Sequence, residues 1–153
     1  KELIHVGYAG GLQPELVPGE IILTDGAFND TAVARLYGYD YELILSSKDL
    51  TNKIEEMITS AEIPYKRGLH WTTDAGYRET WGQVMDYRDK GALCVEMEGV
   101  GLFTIANYRK CVATGIYVVS DVYSENDWKL GWEGNDIKRA VGAVIDMIIE
   151  SIR

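Results

Sequence analysis

The sequence predicts an α/β fold built as one domain over residues 1–153. Three observations carry this. Short β-rich runs alternate with segments of helical period along the whole chain. Residues 112–119 form a continuous, mostly apolar run, as a strand crossing a buried sheet requires. The C-terminal stretch places Ile137, Ala140, Val141, Val144, Ile145, Ile148, Ile149 and Ile152 at i, i+3/4 and i+7/8, one wide apolar helix face. No internal repeat or linker interrupts the 153 residues.

In chain order, Leu3-Ile4-His5-Val6-Gly7-Tyr8 reads as strand, and the glycine-rich run to Leu12 as a tight turn. Pro18-Gly19 turns the chain into a second strand, Glu20-Ile21-Ile22-Leu23. Residues 29–41 contain Gly38 and three tyrosines without a clean period, which predicts a loop-rich, partly buried stretch. Ser46 with Asp49 matches a capping box, and Leu50, Ile54, Met57, Ile58 and Ala61 follow at helical spacing until Pro64 stops them. Residues 65–73 read as strand and 79–90 as helix. Leu93-Cys94-Val95-Glu96 is strand, and 98–110 is helix with Leu102, Phe103, Ile105 and Ala106 inward.

Composition narrows the function. Hydrophobic residues at 46% and charged residues at 25% are those of a globular domain rather than a disordered chain. Fifteen basic against 24 acidic residues leave a formal charge of −9, which repels phosphate backbones and anionic membranes. No nucleic-acid or membrane partner is therefore expected, while a small anion held by backbone amides and one or two cations remains open. Cys94 and Cys111 sit in apolar runs without zinc spacing or a disulfide framework, as reduced thiols of a cytoplasmic protein do. No His, Asp and Glu set has metal spacing, His70 reads as a strand histidine, and no apolar stretch reaches the roughly 18 residues of a membrane span.

Three segments put polar groups at predicted strand ends, where open α/β sheets hold ligands. In Gly7-Tyr8-Ala9-Gly10-Gly11-Leu12, glycine lets backbone approach a ligand, but neither a dinucleotide loop nor a P-loop pattern is present. In Val95-Glu96-Met97-Glu98-Gly99, two carboxylates flank a methionine where strand passes into helix. Glu98 there either caps the helix or accepts hydrogen bonds from two vicinal hydroxyls, with Met97 packing on a sugar face. In Val118-Val119-Ser120-Asp121, the aspartate either solvates a loop or delivers a proton to a leaving group.

Together these segments resemble the nucleoside phosphorylase superfamily, which includes purine nucleoside phosphorylases, uridine phosphorylases and methylthioadenosine nucleosidases. The likeness rests on the Gly-Gly-Leu and Pro-Gly-Glu-Ile-Ile runs, then Val-Glu-Met-Glu and Val-Val-Ser-Asp, and spans nearly the whole chain. It implies a mixed, partly barrel-like central sheet flanked by helices. It implies that Glu98 holds the ribose hydroxyls, that Met97 packs on the ribose, and that Glu96 lies near sugar and base. Asp121, after Ser120, becomes the acid that protonates the leaving purine. Thr72-Thr73-Asp74-Ala75-Gly76-Tyr77 matches the base-pocket segment, with Gly76 where purine-specific members often carry a stacking phenylalanine, so Tyr77 or Trp71 takes that role. The resemblance also implies phosphate as co-substrate with no other cofactor, and a homo-oligomer, dimer or hexamer.

Two departures matter. Phosphorolytic members usually read Arg-x-Gly-Ser/Thr where this chain has His5-Val6-Gly7-Tyr8, a partly charged histidine and a bulkier tyrosine, while Tyr8 and Gly10 stay among the expected substrate-binding residues. The family's upstream strands, with a phosphate-binding glycine-arginine loop, are expected to be missing at the N-terminus. The leading expectation is a nucleoside phosphorylase acting on purine, or alternatively uracil, nucleosides. A nucleosidase using water comes second, and a non-catalytic nucleoside-binding or subunit module third. Lys129, in Trp128-Lys129-Leu130-Gly131-Trp132, reads as a solvated loop lysine before it reads as a base contact.

Overall fold

A computed structural model describes residues 1–124, 127–131 and 134–152, the side chains of 127–130 and 152 excepted. Among the described residues, seven strands and five α-helices follow one another as β1 (Glu2–Gly11), β2 (Ile21–Asp30), α1 (Val33–Leu36), β3 (Leu43–Leu45), α2 (Lys48–Ser60), β4 (Lys66–Thr73), α3 (Trp81–Asp89), β5 (Ala92–Glu96), α4 (Gly99–Tyr108), β6 (Val112–Ser124), β7 (Asp127–Leu130) and α5 (Asn135–Ile152). The strands form one sheet in the order β3-β2-β4-β5-β1-β6-β7. Because β2 also pairs with β6, the five strands β2, β4, β5, β1 and β6 close on themselves as a barrel. The sheet is mixed: β1–β6, β2–β4 and β4–β5 run parallel, whereas β1–β5 and β2–β6 run antiparallel.

Strand alternation sorts the core. Ile21, Leu23, Ile116 and Val118 face outward under α2 and α5, meeting Ile54, Ile58, Ile137 and Val144. Their neighbours Ile22, Tyr117 and Val119 pack on the other face with Cys94. Trp71 and Val95 pack against α3 through Val84, and α4 covers Ala27, Ile44 and Ala113 with Val100 and Phe103.

Several expectations change. The glycine run is no turn, since β1 continues through Gly11 with a bulge between Ala9 and Gly10. Strand β2 runs seven residues past Leu23, because Gly26 at φ +155 supplies its bulge; a Cβ there would stand 2.8 Å from the Ile44 carbonyl oxygen. Residues 29–41 hold the end of β2 and the short α1. Ser46 caps nothing: its hydroxyl bonds to the Thr24 carbonyl and to Thr51, and the capping box lies at Thr80 and Gln83 before α3. In α4, Ile105 faces outward and Val100 inward; in α5, Met147 is buried while Ile145 and Ile149 are exposed. Local spacing gives the period of a helix, but the neighbouring layer decides how wide its buried stripe is.

Candidate functional site

Gly10 is the seam that joins the sequence-distant segments. It is paired with Val95 of β5 on one side and Asp121 of β6 on the other. A Cβ on Gly10 would stand 3.3 Å from Asp121 Oδ2, 3.3 Å from Val95 Cγ1 and 2.8 Å from Tyr123 Cε2. Glycine is needed here for close approach rather than for its dihedral freedom.

Behind this seam lies a buried carboxylate. Glu96 ends β5 with its side chain 1% exposed, and four donors converge on it. Thr72 Oγ1 donates to Oε1 at 2.5 Å, and His70 Nε2 stands 3.1 Å from the same oxygen. The backbone amides of Glu98 and Gly99 donate to Oε2 at 3.0 and 2.8 Å. Burial pushes this carboxyl up, but the bonds from His70, Thr72 and the Glu98 amide outweigh it and hold Glu96 below the ordinary carboxylate range. Glu96 is thus the residue that satisfies the first amides of α4. Glu98 occupies the N-cap position but makes no side-chain cap bond, which removes the capping reading for it.

The turn that follows is open. Met97 is 49% exposed and Glu98 is exposed as well. A Cβ on Gly76, which begins a 3-10 turn at Gly76–Arg78, would lie 3.5 Å from Met97 Sδ and 3.6 Å from Glu79 Oε1. Position 76 therefore borders Met97 on one side and Glu79 on the other.

Glu79 leads on to Asp121. Tyr123 Oη donates to Glu79 Oε2 at 2.6 Å, and Asp121 is close enough to act on both groups. Burial raises the Glu79 carboxyl; the Tyr123 bond offsets part of that, and the Asp121 charge adds to it. The Tyr123 hydroxyl is itself pushed up by burial and by Glu79. Asp121 is buried, well inside β6 rather than at its end, and Ser120 Oγ donates to its Oδ1 at 2.5 Å.

The remaining expected residues divide. Tyr8 and Tyr77 are exposed, Tyr77 fully so. Trp71 is not brought to the open face: it is fully buried, with its ring stacked on Tyr87 at 4.4 Å and 16°. That packing takes the ring face a base would need. His5, also on β1, sets its ring edge-on to Tyr117 at 5.5 Å. The side chain of Lys129 lies outside the described residues. A cavity of about 720 Å³ is lined by residues that include Pro18, Ile21, Pro64, Lys66 and Arg139 and by none of the expected site residues. Thr72 enters the sequence reading only as the first residue of the base-pocket segment, with no role of its own, and Glu79 and Tyr123 do not enter it as site residues. Thr72 was within reach, as a polar residue two places from His70 on one strand face; Glu79 and Tyr123 carry no local signal.

Comparison with known proteins adds three findings. The family model described as phosphorylase superfamily matches residues 1–150. DeoD-type purine nucleoside phosphorylases of Exiguobacterium sibiricum and Caldanaerobacter subterraneus subsp. tengcongensis are each 34% identical to this chain over 123 residues, or 79% of it, and are themselves covered to 52% and 53%. The chain thus spans about half the length of the curated relatives it matches. The solved structure of the P knowlesi homolog of P falciparum PNP is alike in fold, with a TM-score of 0.82 at 22% identity, over 99% of this chain and 60% of that one.

Proposed function

The chain belongs to the phosphorylase superfamily, and on that premise we propose that it carries the ribose-gripping and base-protonating side of a purine nucleoside phosphorylase. The observation that supports this best is the register at Gly10, which places Asp121 on one side of that glycine and, on the other, the strand that leads into Met97 and Glu98. Breaking an N-glycosidic bond builds positive charge on C1′ and negative charge on the base, so sugar and base need separate holders. Glu98, exposed and free of capping duty, accepts hydrogen bonds from the ribose 2′- and 3′-hydroxyls. Met97 packs against the sugar. Asp121, aligned by Ser120, gives its proton to the purine N7 as the C1′–N9 electron pair moves onto the base. A phosphate oxygen forms the new bond to C1′, leaving ribose 1-phosphate and free base. The curated relatives named as purine nucleoside phosphorylases support the purine reading. Uridine remains the alternative base, and a cytoplasmic homo-oligomer, dimer or hexamer, is the expected working form.

Hydrolysis by water is the second reading, favoured by His5 and Tyr8, which offer phosphate less charge and more bulk than an arginine and a serine. Asp121→Asn tests the assignment on inosine, adenosine and 7-methylguanosine, with and without phosphate. The expected loss falls on kcat by roughly 10²–10⁴-fold for the first two and shrinks for the methylated substrate, whose base needs no proton. An equal loss on all three would make Asp121 a solvating group. Turnover that ignores phosphate would select the nucleosidase.

A further inference from the structure

His70 is fully buried, yet both of its ring nitrogens are engaged. Nε2 stands 3.1 Å from Glu96 Oε1, and Nδ1 stands 2.6 Å from Thr24 Oγ1. A carboxylate only accepts, so Nε2 carries the hydrogen toward Glu96, and the Thr24 hydroxyl on β2 anchors the ring from the other side. Glu96 in turn holds the amides of Glu98 and Gly99, and Thr72 ties in the next amide, Val100, at 3.2 Å. The ring also lies directly against this backbone: a Cβ on Gly99 would stand 2.5 Å from His70 Nε2. An unbroken path of bonds therefore runs from β2 through the barrel interior to the turn that carries Met97 and Glu98.

We propose that His70 is a positioning residue for ribose recognition, holding Glu96 so that the Met97-Glu98 turn keeps one conformation. The proposal rests on the function given above for Glu98. It goes beyond it by assigning the grip to a residue that touches no substrate. Uncharged packing alone would not need this arrangement, because an apolar side chain at position 70 would fill the barrel equally well. What it could not do is hold the carboxylate, and through it the first amides of α4.

The test compares His70→Leu, His70→Asn and His70→Gln with wild type in the whole chain. Glutamine reaches about as far as Nε2 and keeps a donor; asparagine is polar but too short; leucine only fills space. Two readouts are taken: amide hydrogen exchange at Glu98 and Gly99, and the affinities for inosine and 2′-deoxyinosine by calorimetry. Leucine and asparagine should speed exchange at both amides about tenfold or more while leaving the β6 amides protected. They should lower the inosine to 2′-deoxyinosine affinity ratio by at least about threefold, and glutamine should restore both readouts. Should the leucine variant not fold, the asparagine and glutamine pair decides. Unchanged exchange, an unchanged affinity ratio, or a glutamine variant no better than asparagine would overturn the proposal. If wild type binds neither nucleoside, the proposed function fails instead, and the exchange readout alone decides whether His70 holds the turn.

Discussion

The barrel interior around Glu96 buries a glutamate wholly and the rim around Glu79 buries one by half, with opposite results. In the interior, two side-chain groups and two backbone amides point at one carboxylate, and its pKa falls. At the rim, Glu79 receives one bond from Tyr123 and faces the like charge of Asp121, and its pKa rises. Burial pushes both upward; the number of donors supplied decides the sign. The difference separates a carboxylate whose donors hold it ionised within the fold from one whose burial is only partly answered. Glu98 is a third case, two residues from Glu96 and exposed, with its backbone amide held by Glu96 and its side chain making no cap bond.

The largest effect should come from Glu96→Ala, which leaves His70, Thr72 and two helix amides without their acceptor. It should cost on the order of 3 kcal/mol in urea unfolding at pH 7. The loss should fade in acid: a folded pKa below the unfolded one contributes stability that is present above the unfolded value and lost as pH falls through the folded one. Wild type and variant that stay equally far apart at pH 3 and pH 7 would break the account of the interior.

Gly10→Ala tests the seam between the two regions. Its Cβ would meet Tyr123 Cε2 at 2.8 Å and Asp121 Oδ2 at 3.3 Å, an overpacking expected to cost about 1–3 kcal/mol. The accompanying sign is a shift in the titration of Glu79, followed by carboxyl NMR, as Tyr123 is displaced. A variant as stable as wild type with Glu79 unmoved would mean the rim is loosely packed.

A smaller effect, below about 1 kcal/mol, is expected for Glu79→Gln, since the group is only half-buried. Its pH dependence should run opposite to that of Glu96. With a folded pKa above the unfolded one, ionisation of Glu79 costs stability as pH rises through the folded value, so the variant gains on wild type as pH climbs from below the unfolded value to above the folded one. Parallel slopes for the two glutamate variants would erase the contrast. Glu98→Gln should change stability least, by less than about 0.5 kcal/mol, because its side chain is exposed and makes no cap bond at the start of α4. Its effect should appear in inosine binding, and loss of stability without loss of binding would reverse the roles of Glu96 and Glu98.

The alternation of strands and helices, the long apolar strand near residue 112 and the stripe of α5 were legible because period and apolar run length are local properties. So was the importance of Val95-Glu96-Met97-Glu98, whose two carboxylates at a strand-to-helix junction have few roles open to them. Which glutamate does which was not legible. Side chains two apart on an ideal strand share a face, but the strand ends at Glu96, and that break turns one carboxylate into the barrel and the other toward solvent. The length of β1 was misread for a related reason: glycines carry a turn signal locally, whereas Gly10 is required by the neighbours that crowd it. Barrel closure through β2 and β6, the burial of Trp71 under α3 and the pairing of His70 with Glu96 all join positions at least 10 residues apart in sequence. The sequence alone determined the longer elements and the chemical groups on offer. Only the tertiary structure decided which of those groups are sealed and bonded and which stay open, because burial and hydrogen-bond partners are properties of the assembled layers.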